Sequence, residues 1–192
     1  MSALQSLLND LTSGDEELAE SVVPLLIELG EDAIPALLDL THSEDVDSRW
    51  WAVRTLAQSP HCQTEWLISF LTDDPSPDVR QCAALGLAVK PDESAIQPLV
   101  RALSDEDNMV GSLAVNALVK IGSPAVPSLI ETVKTGKQSA RINALRALAE
   151  IRDHRAIPIM MAVMQEDSVL LQHWAKEGLE RLGLNMVYIK PL

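Results

Sequence analysis

Trp50 and Arg54 stand four residues apart, the spacing that places two side chains on one face of a helix. Tryptophan beside arginine is interface chemistry, because both types are enriched where proteins bury a binding anchor. Catalytic chemistry finds less support. The chain carries no glycine-rich phosphate loop, no Gly-x-Ser-x-Gly elbow and no carboxylate pair set apart from the turn acids, so no catalytic residue is marked out. Cys62 and Cys82 lie 20 residues apart without Cys-x-x-Cys spacing, too few for a disulfide framework or a zinc site. They read as free thiols, expected at opposite ends of one helical hairpin and so beyond disulfide reach. His42, His61, His154 and His173 read as surface or turn residues, and no metal is expected.

The elements that must position Trp50 and Arg54 are helices. Apolar residues make up 47% of the 192 but aromatics only 3%, with Ala and Leu standing where a β protein would use Val, Ile, Tyr and Phe. The segment Ser48–Leu56 overlays Val79–Leu87, Val110–Leu118, Ala140–Leu148 and Leu171–Leu179. Its second positions, Arg49, Arg80, Gly111, Arg141 and Gln172, are spaced 31, 31, 30 and 31. Three places later stands Ala in every copy, at Ala52, Ala83, Ala114, Ala144 and Ala175. Seven places later stands Leu, at Leu56, Leu87, Leu118, Leu148 and Leu179. A sixth, degraded copy covers Leu18–Leu25, where Pro24 is expected to kink or reset the helix.

Ahead of most copies lies a second element, at 32–38, 94–100, 124–130 and 155–161, with proline in its first turn as helix starts prefer. The copy at 63–71 places Trp66 in that register instead. One such pair cannot bury its own apolar stripe, so stacked neighbours must share a core. The expected fold is all-α, an α-solenoid (α-α superhelix) of about six helix pairs. Residues 1–192 are read as a single repeat domain, 1–31 as a degenerate capping pair and 183–192 as a tail or cap. The tail reads as a lid over the last pair or, alternatively, as a docking segment.

The recurring Ala and Leu fix the buried side of each second helix. The opposite face then carries Trp50 and Arg54, Gln81 and Leu85, Ser112 and Asn116, Ile142 and Arg146, His173 and Glu177. The border position carries Trp51, Cys82, Leu113, Asn143 and Trp174. The second helices of a solenoid line its concave surface, so the expected partner-binding residues are Trp50, Trp51, Arg54, Gln81, Leu85, Leu113, Ile142, Arg146 and Trp174. Packing against the next repeat competes as the reading for Trp51, Trp66 and Trp174, and stands level with binding for Trp50. Arg49, Arg80 and Arg141 share one register and read as an inter-repeat ladder to carboxylates or helix ends.

With 28 acidic against 15 basic residues the net charge is −13, a poor match for phosphate backbones, and no nucleic-acid partner is expected. The charge is uneven. Up to residue 74 there are 15 acidic side chains against Arg49 and Arg54 alone, and beyond it 13 of each sign. A like-signed patch steers a basic partner, although solubility alone also accounts for it. No apolar run approaches the ~18 residues of a membrane span, and Met1–Leu11 lacks a signal-peptide pattern. The expected location is cytoplasmic.

The run Asp74–Leu87, followed by Asp92–Val100, resembles the short HEAT-like repeat of cyanobacterial phycobilin lyases, and the likeness covers roughly residues 15–182. The tryptophan-bearing unit Ser48–Ala57 is most similar to the shorter members of that group. The resemblance implies the solenoid fold and several roles. E/F-type lyases handle open-chain tetrapyrroles on phycobiliproteins, and other members are antenna-disassembly factors or adaptors. Some HEAT-repeat proteins are di-iron hydroxylases that use repeated His-Glu dipeptides, but here the four histidines precede Ser, Cys, Arg and Trp. The expected function is a non-catalytic scaffold or adaptor acting on phycobiliproteins or photosynthetic assembly in a cyanobacterium. The expected partner is another protein, a phycobiliprotein or a second lyase-like subunit. One alternative is a bilin lyase or lyase subunit with phycobilin as its cofactor, in which Arg54 and Asp47 beside Trp50 would meet the propionates and pyrrole N–H groups. Another is an adaptor in iron-sulfur or photosystem assembly.

Overall fold

Acidic and hydroxyl side chains open the helices by accepting backbone N–H groups that have no partner within the helix. Ser2 accepts from Gln5, Asp15 from Leu18, Asp45 from Ser48, and Asp107 from Met109 and Val110. The computed structural model describes residues 2–184, so most of the 183–192 tail lies outside the described residues. Twelve α-helices are found there: α1 Ala3–Leu11, α2 Glu16–Glu28, α3 Ile34–Leu40, α4 Val46–Gln58, α5 Thr64–Asp73, α6 Pro77–Val89, α7 Ile96–Ala102, α8 Asn108–Ile121, α9 Val126–Thr135, α10 Gln138–Ile151, α11 Ile157–Val163 and α12 Val169–Arg181. Successive helices pack as pairs, α1 with α2 through α11 with α12, and no strand occurs among the described residues. The proline-opened elements begin as single 3₁₀ turns that run into α3, α7, α9 and α11. Their hinge residues Ala33, Ala95, Ala125 and Ala156 are fully buried.

Two compact units divide the chain, one ending at Lys90 and the other beginning at Pro91. In the first, Leu8, Leu11, Val22, Val23, Leu26, Leu37 and Leu56 form a core against which Trp51, Trp66 and Phe70 are partly buried. α4 packs on both α2 and α6. In the second, α10 packs on both α8 and α12. The periodic residues sit where the repeat requires: Ala52, Ala83, Ala114, Ala144 and Ala175, and the five leucines of the companion register, have no solvent exposure. A further small register, three places beyond the alanines, brings helices close. At Gly86 a Cβ would stand 3.0 Å from Ala57 Cβ and 3.1 Å from Leu67 Cδ1.

Pro24 does not break its helix. α2 runs unbroken from Glu16 to Glu28. Pro24 lies on the solvent side, so the Glu20 carbonyl that loses its helical partner is left to water. Val22 and Leu26 then occupy the places that Ala52 and Leu56 hold in α4, 30 residues later.

The arginine register is a ladder within each unit. Arg49 donates to the Ser43 carbonyl at 2.9 Å and pairs with Asp74, Nε to Oδ2 2.9 Å. Arg141 donates to the Val133 carbonyl at 2.6 Å and pairs with Glu166 at 2.6 Å. Arg80 donates to the Asp74 and Pro75 carbonyls, and Gln172 to that of Glu166. Each therefore satisfies carbonyls at the end of the preceding helix. Where the register holds Gly111, Asn143 Nδ2 donates to the Leu103 carbonyl at 2.9 Å, and a Cβ on Gly111 would stand 3.1 Å from that nitrogen. Among the described residues no single helix is long and apolar enough to cross a membrane.

Candidate functional site

The N-terminal ends of α2, α4 and α6 surround a groove of about 1390 Å³ in the first unit. α4 supplies its aromatic floor. Trp50 and Trp51 meet edge to face, with ring centroids 4.9 Å apart and an interplanar angle of 83°. One helical turn later the Arg54 guanidinium carbon lies 5.3 Å from the Trp50 ring and 5.8 Å from that of Trp51, within cation–π range. The same group reaches α2, where one terminal nitrogen donates to both Glu20 oxygens at 2.7 and 2.9 Å. Arg54 Nε is buried and has no hydrogen-bond partner among the described residues. Leu85 of α6, 51% exposed, adds an apolar surface to the wall.

Electrostatically the groove is acidic. Glu16, Glu17, Glu20, Asp45, Asp47 and Asp78 line it, and among the described residues Arg54 is the one Lys or Arg in the lining. The Asp45 carboxyl is held below its ordinary range because it accepts from both the hydroxyl and the backbone N–H of Ser48. Cys82 also lines the groove, and burial pushes its thiol up to about 12. A thiol so placed stays protonated at neutral pH and is a poor nucleophile. Burial raises Cys62 as well, and its Sγ faces the Gln63 carbonyl at 3.6 Å. No group of three or more His, Cys, Asp or Glu able to hold a metal is found among the described residues.

Of the residues expected to bind a partner, Trp50, Trp51, Arg54, Gln81 and Leu85 come together in this groove. Trp51 has a double part, since it also packs on the core. Leu113, Ile142, Arg146 and Trp174 belong to the second unit, where all four are half-buried. There the Arg146 guanidinium lies 5.5 Å from the Trp174 ring and donates to Asn143 Oδ1 at 3.1 Å. Arg54, the cation on which the lyase alternative would draw, is paired with Glu20 through one terminal nitrogen.

Sequence reasoning missed the α2 wall and the carboxylates as a row. Glu17, Asp47 and Asp78 occupy one register, 30 and 31 residues apart, and all three are exposed. Counting acids by region hid this periodicity. Glu17 lies one residue ahead of the sixth copy, Leu18–Leu25, as Asp47 lies one residue ahead of Ser48.

Two family models match the chain, HEAT repeats over residues 64–139 and the PBS lyase HEAT-like repeat over 140–166. The phycocyanin operon protein Z of Pseudanabaena tenuis is 31% identical over 164 residues, 80% of this chain and 81% of that protein. A phycobilisome maturation protein of Synechococcus elongatus is 33% identical over 105 residues, 54% of this chain but only 50% of that protein. In the CpcE–CpcF complex of phycocyanin lyase from a Nostoc species, one chain superposes with a TM-score of 0.58 at 23% identity, over 76% of this chain and 97% of that one. This last likeness shows the fold, an α-solenoid of HEAT-like helix pairs. The chain belongs to the HEAT-like repeat family of the cyanobacterial phycobilin lyases.

Proposed function

We propose that the protein is a non-catalytic scaffold that grips another protein, a phycobiliprotein or a component of photosynthetic assembly, through the groove of α2, α4 and α6. The observation that carries this reading is the floor of the groove. Trp50 and Trp51 are half-buried beside an exposed Leu85, which is anchor chemistry. The one cysteine in the lining has its thiol pushed up to about 12, which suits binding rather than covalent transfer. The names of the relatives, phycocyanin operon protein Z and phycobilisome maturation protein, favour the phycobilisome as the setting and the cyanobacterial cytoplasm as the place. Arg146 and Trp174 belong to the second unit and do not line this groove.

Calorimetry against purified phycobiliprotein subunits tests the reading. Trp50→Ala should weaken binding by about 2 kcal/mol or more and leave thermal stability nearly intact. Equal affinity for both proteins would overturn the groove assignment. Co-expression with a bilin-producing pathway and an apo-phycobiliprotein tests the rest: a covalent fluorescent adduct that depends on this chain would replace the scaffold with a lyase.

A further inference from the structure

The groove contains a sample of the chemistry it favours. Arg54, although part of the chain, is held as a ligand would be, its guanidinium against two indoles and hydrogen-bonded to a carboxylate. That single cation leaves the site far from neutral. Among the described residues six carboxylates line the groove against one arginine, and the three helix N-termini contribute roughly +0.5 each, so about −3.5 remains. Glu16, Glu17, Asp47 and Asp78 form no salt bridge or hydrogen bond through their side chains among the described residues. Helix capping does not require these acids. The register of Glu17, Asp47 and Asp78 holds Met109 in α8, Ser139 in α10 and Leu170 in α12, and those helices form without an acid in the first turn.

We infer that the groove takes a basic, extended segment of the partner protein, laid across the first turns of α2, α4 and α6, with its Lys or Arg side chains on the row Glu17, Asp47 and Asp78 and an apolar side chain against Trp50 and Leu85. Neighbouring helices in such stacks lie about 8–10 Å apart. A chain in the polyproline II conformation advances about 3.1 Å per residue with three residues per turn, so every third side chain points the same way and one cation falls on each carboxylate. This rests on the scaffold reading and names the chemistry of the partner that reading leaves open.

A labelled nonapeptide of three Arg-Ala-Ala repeats, titrated by fluorescence anisotropy into the full chain, is the probe. The triple variant Glu17→Gln, Asp47→Asn, Asp78→Asn should bind it at least ten-fold more weakly. The charge-matched control Glu28→Gln, Asp39→Asn, Glu65→Gln, outside the groove, should change affinity less than two-fold. Arg54→Gln, which removes the internal cation, should bind the peptide several-fold more tightly. Equal losses in the two triple variants, no binding by the unaltered chain, or weaker binding by Arg54→Gln would each overturn the inference. Phycobiliprotein binding without peptide binding would leave the scaffold reading standing and this one fallen. Groove-dependent peptide binding without any phycobiliprotein binding would do the reverse.

Discussion

One exposed register reads Glu17, Asp47, Asp78 in the first unit and Met109, Ser139, Leu170 in the second. One inward register reads Ala52, Ala83 in the first and Ala114, Ala144, Ala175 in the second, all without exposure. The two units thus share their packing residues and differ in their surface. The arginine–tryptophan pairs show the same division. Arg54 stacks on two rings of its own helix and reaches back to Glu20, whereas Arg146 of α10 stacks forward on Trp174 of α12 and donates to Asn143 of its own helix. Inward positions are fixed by the close approach of helices, which tolerates little change in volume. Outward positions carry no such constraint and are where partner chemistry can differ.

The comparison breaks most visibly if the shared core is not shared. Leu56→Ala and Leu118→Ala occupy one register in different units, both unexposed, and each should cost about 2–5 kcal/mol. Urea unfolding of the two variants checks this, and a marked inequality would mean that the register does different work in the two units. Ala83→Leu and Ala114→Leu test the converse, overpacking, with an expected loss of about 1–3 kcal/mol each. An unchanged midpoint for either would remove that alanine from the close-packed face.

Acid sharpens the contrast. Arg155 beside Asp153, through a side-chain hydrogen bond and then a backbone one, holds that carboxyl well below the usual range, with Ser123 assisting. In the first unit Asp45 is lowered by Ser48, through its hydroxyl and then its backbone N–H. A carboxyl lowered on folding stabilises above its unfolded pKa, and that stability is lost as pH falls through the folded value. Unfolding midpoints should therefore drop as pH falls below about 4. Asp153→Asn should flatten that drop more than Asp45→Asn, as circular dichroism against pH would register. The smallest effect is expected at Arg146→Ala, where one half-buried cation–π contact is worth about 1 kcal/mol. A differential-scanning shift larger than that of a core truncation would reverse the ranking of surface and core.

What could be read from the sequence was whatever repeats with volume. Ala and Leu recur because helices meet there, so the helix pairs and the buried faces followed from spacing alone. The arginine ladder was legible for the same reason, since the groups it satisfies recur with the turn. Two features escaped. The continuity of α2 through Pro24 depends on which side of the helix faces water, a tertiary fact. The row Glu17, Asp47, Asp78 recurs as regularly as the alanines, but carboxylates in first turns are common enough to pass as caps, and only the groove that gathers them separates the row from the rest of the acidic surface.

Gly111 and Asn143 carry a consequence for how such a chain can change. Elsewhere a repeat ends its own preceding helix with its own arginine, as Arg49 does at Ser43 and Arg141 at Val133. At Leu103 the service comes from a side chain 40 residues downstream. A module that borrows from its neighbour is no longer interchangeable with the others. Excising α9 and α10 as a cassette would strip Leu103 of its donor, whereas duplicating them would not supply another. In that stretch the array can gain a unit but cannot lose one without orphaning the Leu103 carbonyl.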